Sequence, residues 1–423
     1  MTDCCCNGSE DKGSQEQCSP QGSCCTPSDC APNDCCGADT NCDESSILGR
    51  FQNMIGNCLE YAIGAKKEGK PIVGIMCEYT PRELILAAGA LPVCMCGGSA
   101  ATIPDAEKIL PANLCPLIKS TFGYHIQQSN PFLEMFDLIV AETTCDGKKK
   151  MFEILGQSRT MYVLELTQKS KDADAFEHWI RELHKLKAEL ELRFNCQITN
   201  DKLRDAIKLM NRERKLRRNL ASLMKSDSPN ITGRELLDLK SIISGIECDL
   251  VEYENIYNKI ENMVDEQSCC KDKPVRVLLT GVPLPHGSER VLEIIENSGG
   301  LVVAQENCTG IKPIYDDIDE NADDLIKAIA EKYYKLPCSV MTSNDSRLDL
   351  IKKLANEYNA DCVIDLTWQA CLTYDVESFN VKNFVEDTLK LPYMKIETDY
   401  NTSDTGRIAL RIEALFESIK SNN

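Results

Sequence analysis

Short apolar runs that each give way to a polar turn recur along most of this chain, with helical patterns between them. The runs at 71–76, 91–95, 137–142 and 160–166 alternate with amphipathic stretches such as Phe51 to Lys67 and Pro81 to Gly89. A strand, a helix and another strand in sequence predict parallel pairing, because the helix carries the chain back to start the next strand in the same direction. A second series opens at Val275-Arg276-Val277-Leu278-Leu279-Thr280-Gly281, with further strands expected at 301–305, 338–342, 362–367 and 393–397. Helices are expected at 288–297, 320–334, 346–358 and 375–389, and a last one from Thr405 to Ser418. The fold class this predicts is α/β, with two doubly wound parallel-sheet domains at 47–170 and 271–423.

Residues 171–270 break that rhythm. Ala175 to Arg193, Asn200 to Lys225 and Arg234 to Val264 show helical periodicity with many Lys, Arg and Glu, and Thr232 with Glu235 makes a capping box. The expectation is an inserted helical unit whose charge runs are solvated faces. The rival reading of those runs is a docking surface for another protein.

Residues 1–46 are different again. They hold ten cysteines (Cys4, Cys5, Cys6, Cys18, Cys24, Cys25, Cys30, Cys35, Cys36 and Cys42), nine acids and one Lys, with almost no large apolar side chains. Such a segment buries too little surface to fold alone, so disorder without metal is expected. Soft thiolates there accept zinc, copper(I) or iron–sulfur. A dispensable tail is the plainer reading.

Bulk properties narrow the function classes. A chain of 423 residues exceeds one compact core. A net charge of −19 argues against nucleic acid or an anionic membrane as partner. No apolar run approaches the roughly 18–20 residues of a membrane span, and the N-terminus lacks the basic and apolar regions of a signal peptide. A cytoplasmic location is therefore expected. There, 24 cysteines serve as metal ligands or reduced thiols more readily than as bridges.

Six of them stand where an apolar run meets a turn: Cys77, Cys115 and Cys145 in the first half, and Cys308, Cys338 and Cys371 in the second. Open α/β sheets bind ligands beyond the carboxyl ends of their strands. Thiols delivered there from many segments point to an iron–sulfur site. A [4Fe–4S] cubane normally takes four thiolates. Six make two sets of three, each leaving one iron without a protein ligand, and the economical reading joins the two through a shared sulfide. Against this, any single cysteine can be a buried structural thiol. That reading is preferred for Cys58, Cys196, Cys248 and Cys362, while Cys94 and Cys96, beside Gly97-Gly98, stay open between the two.

Lesser signals fall away. Gly64 to Lys70 imitates a phosphate loop, but it runs into Pro71 and precedes its strand, so nucleotide binding is not expected there. The four histidines lack zinc-ligand spacing, although His286, near Gly281 and Gly287, can approach the crevice. Lys148, Lys149 and Lys150 would offset cluster charge or receive a ligand's phosphate; a solvated turn is the simpler account.

Specific motifs then carry a resemblance. Glu78-Tyr79-Thr80-Pro81-Arg82-Glu83-Leu84-Ile85, Asn113-Leu114-Cys115-Pro116, Glu142-Thr143-Thr144-Cys145-Asp146-Gly147, Glu306-Asn307-Cys308-Thr309-Gly310, Gln369-Ala370-Cys371 and Glu397-Thr398-Asp399-Tyr400 occur in order over residues 50–420. Together they resemble the 2-hydroxyacyl-CoA dehydratase D-component family, which includes benzoyl-CoA reductase subunits, most nearly its double-cubane cluster protein branch. The resemblance implies an [8Fe–9S] double cubane held by the six cysteines named above. It further implies low-potential electrons from an ATP-hydrolysing iron–sulfur activator protein, reduction of a small molecule, and a homodimer. The rivals are an (R)-2-hydroxyacyl-CoA dehydratase subunit that binds its thioester at one open iron of a [4Fe–4S] cluster, and a non-catalytic metal store or cluster carrier. Nothing transfers to residues 1–46, which lie outside the family pattern.

Overall fold

Along each strand, successive side chains face opposite sides of the sheet, and here both sides are apolar. The computed structural model describes residues 46–263 and 273–422. Strands β1 (Ile72–Ile75), β2 (Leu91–Cys94), β3 (Leu138–Glu142) and β4 (Met161–Leu164) form one sheet in the order β2-β1-β3-β4. Strands β5 (Val275–Gly281), β6 (Gly300–Glu306), β7 (Cys362–Trp368) and β8 (Tyr393–Thr398) form a second in the order β6-β5-β7-β8. Every pairing between these eight strands is parallel. The protein is α/β, as the alternation predicted, and its two sheets share one strand order.

The packing follows the two-residue period. Leu138 and Val140 of β3 pack with the helices Arg82–Ala87, Ala173–Arg193 and Leu325–Tyr334, whereas Ile139 and Ala141 pack with Pro116–Gln127 and Asp146–Leu155. In β7, Val363 meets Leu350, Ile351 and Leu354 on one side, while Ile364 and Leu366 join the cluster of Ile408, Ile412 and Phe416 on the other. Burial on both faces is why these strands read as continuous apolar runs. At Gly74 a Cβ would lie 2.5 Å from the Phe136 ring, so only glycine lets that ring close on β1.

Several sequence expectations are corrected. No strand forms at 338–342: Cys338–Met341 make a turn (Met341 N–H to Cys338 C=O, 2.9 Å), and Thr342 N–H donates to Gln168 C=O (2.8 Å) beyond β4. The helix expected at 320–334 begins at Leu325, where the Asp324 carboxylate caps it by accepting from Lys327 N–H. The helix expected from Arg234 to Val264 is broken into Gly233–Asp238 and Glu247–Glu261. Between these, Ile242 C=O accepts from Cys94 N–H (2.8 Å), and Ile243 bridges antiparallel to Val93, so the segment lies along the free edge of β2. The Thr232–Glu235 capping box is present.

The helical stretch between the sheets is more than a solvated face. Asn211 Nδ2 donates to Ile318 C=O (2.8 Å), Arg218 pairs with Asp317 (2.6 Å), and buried Arg214 pairs with buried Glu83. The helix Asn200–Ser222 thus ties residues of the first half to residues of the second. Among the described residues no helix is long and apolar enough to cross a membrane. The cysteine-rich segment, expected to be disordered or metal-binding, lies outside the described residues but for Ser46.

Candidate metal centre

Both sheets reverse their winding direction at the central pair, β1/β3 in one and β5/β7 in the other, and the chain leaves the strand ends there to open a crevice. The loops beyond those ends surround one cavity of about 740 Å³. Cys77, Cys115, Cys145, Cys308, Cys338 and Cys371 all line it. Cys94 and Cys96, left open by the sequence, line it too, whereas Cys58, Cys196, Cys248 and Cys362 do not. None of the eight thiols on the cavity is in a disulfide.

The six fall into two neighbourhoods, each drawing on both halves of the chain, which meet where Cys145 also lies within electrostatic reach of Cys338. Cys115, Cys145 and Cys371 lie within electrostatic reach of one another. Each sits at the N-cap of a helix: Pro116–Gln127, Asp146–Leu155 and Leu372–Asn383. Free N–H groups at a helix start favour an anion, thiolate included. At Cys115 the Cys371 thiol and the N–H groups of Leu117 and Ile118 outweigh burial and hold the thiol below the ordinary range. Burial instead pushes Cys145 up, and contact with Cys115 together with burial pushes Cys371 well up. Cys77, Cys308 and Cys338 form the other neighbourhood, on loops. Burial pushes Cys77 well up and Cys308 up to about 12.

Ammonium groups stand where the helix ends do not. Half-buried Lys148 donates to Met76 C=O (3.4 Å) and faces Cys77, Cys96 and Cys145; burial works against its charge, and those thiols, once ionised, would favour it. It lies on the helix after Cys145, which corrects the solvated-turn account. Lys312 is fully buried against Glu306 (2.9 Å) and faces Cys308 and Cys338. Lys240 spans the cavity wall, donating to Cys308 C=O (3.0 Å) and lying 3.4 Å from Glu78. Burial works against Glu78 ionising, but Arg82 and Lys240 hold it at about 2.

Sequence reasoning missed Lys240, Lys312 and the buried carboxylates behind the strand ends. Glu306 ends β6 among Lys312, Arg347 and the Thr280 hydroxyl, and Glu142 ends β3 beside the Thr80 hydroxyl. The signal available was a Glu at the end of an apolar run, a costly place for a charge unless it is paired. His286 does reach the cavity wall, as its glycine neighbours suggested.

Soft thiols, in number and on one cavity, with ammonium groups and helix N-termini beside them, are a donor set that fits iron and sulfide. Thiols that burial keeps neutral become thiolates when a cation is bound, since the metal then dominates the local charge.

Two parallel α/β sheets whose strand-end loops enclose a thiol-lined cavity define the class. Residues 77–419 match the family model for the 2-hydroxyglutaryl-CoA dehydratase D-component, and the chain belongs to that family. It is 38% identical over 360 residues (84% of this chain, 93% of the relative) to YjiM of Escherichia coli (strain K12), which is described provisionally as a dehydratase subunit. The (R)-phenyllactyl-CoA dehydratase beta subunit of Clostridium sporogenes is 24% identical over 383 residues, 87% of this chain and 97% of its own. A benzoyl-CoA reductase subunit of Thauera aromatica is 23% identical over 244 residues, 56% and 62% of the two chains. Dehydratases and reductases thus both appear among its relatives.

Proposed function

We propose that this chain is the substrate-reducing component of an iron–sulfur reductase, fed with low-potential electrons by an ATP-hydrolysing activator protein. The observation that supports it is the convergence on one cavity of six thiols drawn from both halves of the chain, with Cys94 and Cys96 beside them. Cys115, Cys145 and Cys371 would hold one cubane from three helix N-termini. Cys77, Cys308 and Cys338 would hold the other beside Lys148, Lys240 and Lys312. Bound there, an [8Fe–9S] double cubane supplies storage and transfer of single electrons. The protein's part is to bury the thiolates, offset their charge and exclude water, the levers that set potential in such sites.

The runner-up reading is an (R)-2-hydroxyacyl-CoA dehydratase subunit, favoured by the relatives named as dehydratase beta subunits. Iron and sulfide, measured per chain after anaerobic purification, separate the two. About eight irons support the double cubane, and about four, one ordinary cubane, favour the dehydratase subunit. A load that varies between preparations would instead match a metal store. Cys308→Ser should lose at least half of the wild-type iron; an undiminished load would remove Cys308 from the ligand set.

A further inference from the structure

The reductions proposed for this cavity consume protons as well as electrons, so the wall must carry a group that can give one up near neutral pH. Most titratable groups on it are committed elsewhere. Glu78 is paired to Arg82 (2.8 Å) and Lys240, and Lys148 donates to Met76 C=O (3.4 Å). His286 differs. It sits on the loop between β5 and the helix Arg290–Asn297, it lines the cavity, and its side chain is 55% exposed. Its Nδ1 lies 3.4 Å from Glu289 Oε1. Both carboxylate oxygens of Glu289 accept from Gly287 N–H (2.8 and 2.9 Å), and that side chain is 9% exposed.

The loop itself is pinned across the cavity. Gly98, from beyond β2, packs so closely on it that a Cβ there would lie 2.3 Å from His286 C=O. Gly287, at φ +96°, supplies a turn that other residues rarely adopt. A buried carboxylate on Nδ1 fixes the tautomer and orientation of an imidazole and leaves Nε2 to exchange protons.

We propose that His286, braced by Glu289, is the proton donor for substrates reduced in this cavity. The inference rests on the reductase reading. The groups facing His286 are Glu289 from its own turn, and Asp238 and Arg234 from the helix Gly233–Asp238. Contact with Glu289 keeps the ring protonated to higher pH, burial and Arg234 oppose, and Asp238 assists. Asp238, His286 and Glu289 bring donor atoms within 4.8 Å of one another, as a metal site would. Arg234 already pairs with Asp238 and approaches Glu289 (4.0 Å), which puts a positive charge where a cation would have to sit.

Each reduction cycle then moves Nε2–H to the substrate as an electron arrives, and solvent restores the proton. Hydroxylamine is a suitable probe, with titanium(III) citrate as the electron donor. In NH2OH + 2e⁻ + 2H⁺ → NH3 + H2O the N–O bond breaks, each electron comes from titanium, and both protons pass through His286.

The test compares wild type with His286→Gln, measuring iron and sulfide in each, ammonia formation from pH 5 to 9, and peptide-resolved labelling of His286 by diethyl pyrocarbonate in iron-free protein. The expected result is equal iron and sulfide in both, and a wild-type rate that falls as pH rises past the titration of His286. The variant should run about 100-fold slower, the usual scale for general acid catalysis, with that pH limb gone. Added imidazole should restore part of the rate. In the labelling, Glu289→Gln should move the titration of His286 to lower pH. A loaded His286→Gln protein with unchanged rate and pH profile overturns the proposal. So does a wild-type rate abolished by dialysis against EDTA with cluster iron retained. A wild type without iron, or one loaded with iron yet inert to the probe at every pH, defeats the reductase reading instead.

Discussion

Glu142 shows how one residue can be in plain view in a sequence and still hide its state. It ends β3 with no exposed surface, Oε1 accepts from the Thr80 hydroxyl, and Oε2 has no partner. Burial raises its carboxyl to about 8, against the Thr80 hydrogen bond and Lys148. A carboxyl raised in the folded state binds its proton more tightly there than in the unfolded chain. Stability is therefore full below the ordinary value of 4.5 and declines as pH climbs towards about 8. Glu142→Gln keeps the shape and removes the charge. In urea unfolding of iron-free protein the variant should gain on wild type between pH 5 and pH 8. The gain should be at most about 1.4 kcal/mol for each tenfold difference in proton affinity between the folded and unfolded chain. A stability difference that stays constant across that range would show Glu142 ionised in the folded protein. The sequence displayed this Glu inside a motif, but burial and an unmatched oxygen are properties of its surroundings.

At the scale of elements, the strands were legible and the breaks were not. Pro71 to Met76 and Cys362 to Thr367 read correctly because a strand covered on both faces has one apolar signature. The helix expected through Arg234 to Val264 failed because Leu239–Ile246 finds better partners along the edge of β2 than in a helix, and periodicity cannot report such tertiary pairing. That break has a consequence for the site, since it delivers Lys240 to the cavity. Loop closure has the same character at Gly98, where a Cβ would meet His286 C=O at 2.3 Å and Pro285 C=O at 2.9 Å. Both obstacles are backbone and cannot rotate away. Gly98→Ala should cost about 1–3 kcal/mol, the scale of overpacking. Gly64, inside the helix Met54–Lys67 with nothing within 4 Å of its Cβ position, is the matched control. Gly64→Ala should stabilise by about 0.5–1 kcal/mol, through helix propensity alone. Equal effects of the two substitutions in chemical denaturation would mean the two loops do not pack as closely as described.

For the whole molecule, the two sheets were legible and their convergence on one cavity was only inferred, because that depends on contacts between residues far apart in sequence. Tyr79 Oη donates to Leu336 C=O (3.0 Å), Tyr400 Oη donates to Gly97 C=O (3.2 Å), and Arg214 reaches from the helical stretch to Glu83. None of these leaves a pattern in the sequence. Six thiols on loops from both halves mean that a bound cluster would cross-link those loops, and binding energy then becomes folding energy. Anaerobic chelation of iron should therefore lower Tm by several degrees. It should also open Cys77, Cys115 and Cys371 to maleimide, while Cys362, at 0% exposure within β7, stays protected until global unfolding. Peptide mapping of the labelled protein separates the two cases. Labelling of Cys362 in step with the cavity thiols would mean that iron holds the whole fold rather than the loops. Unchanged labelling of the cavity thiols after iron loss would mean that they never held the metal.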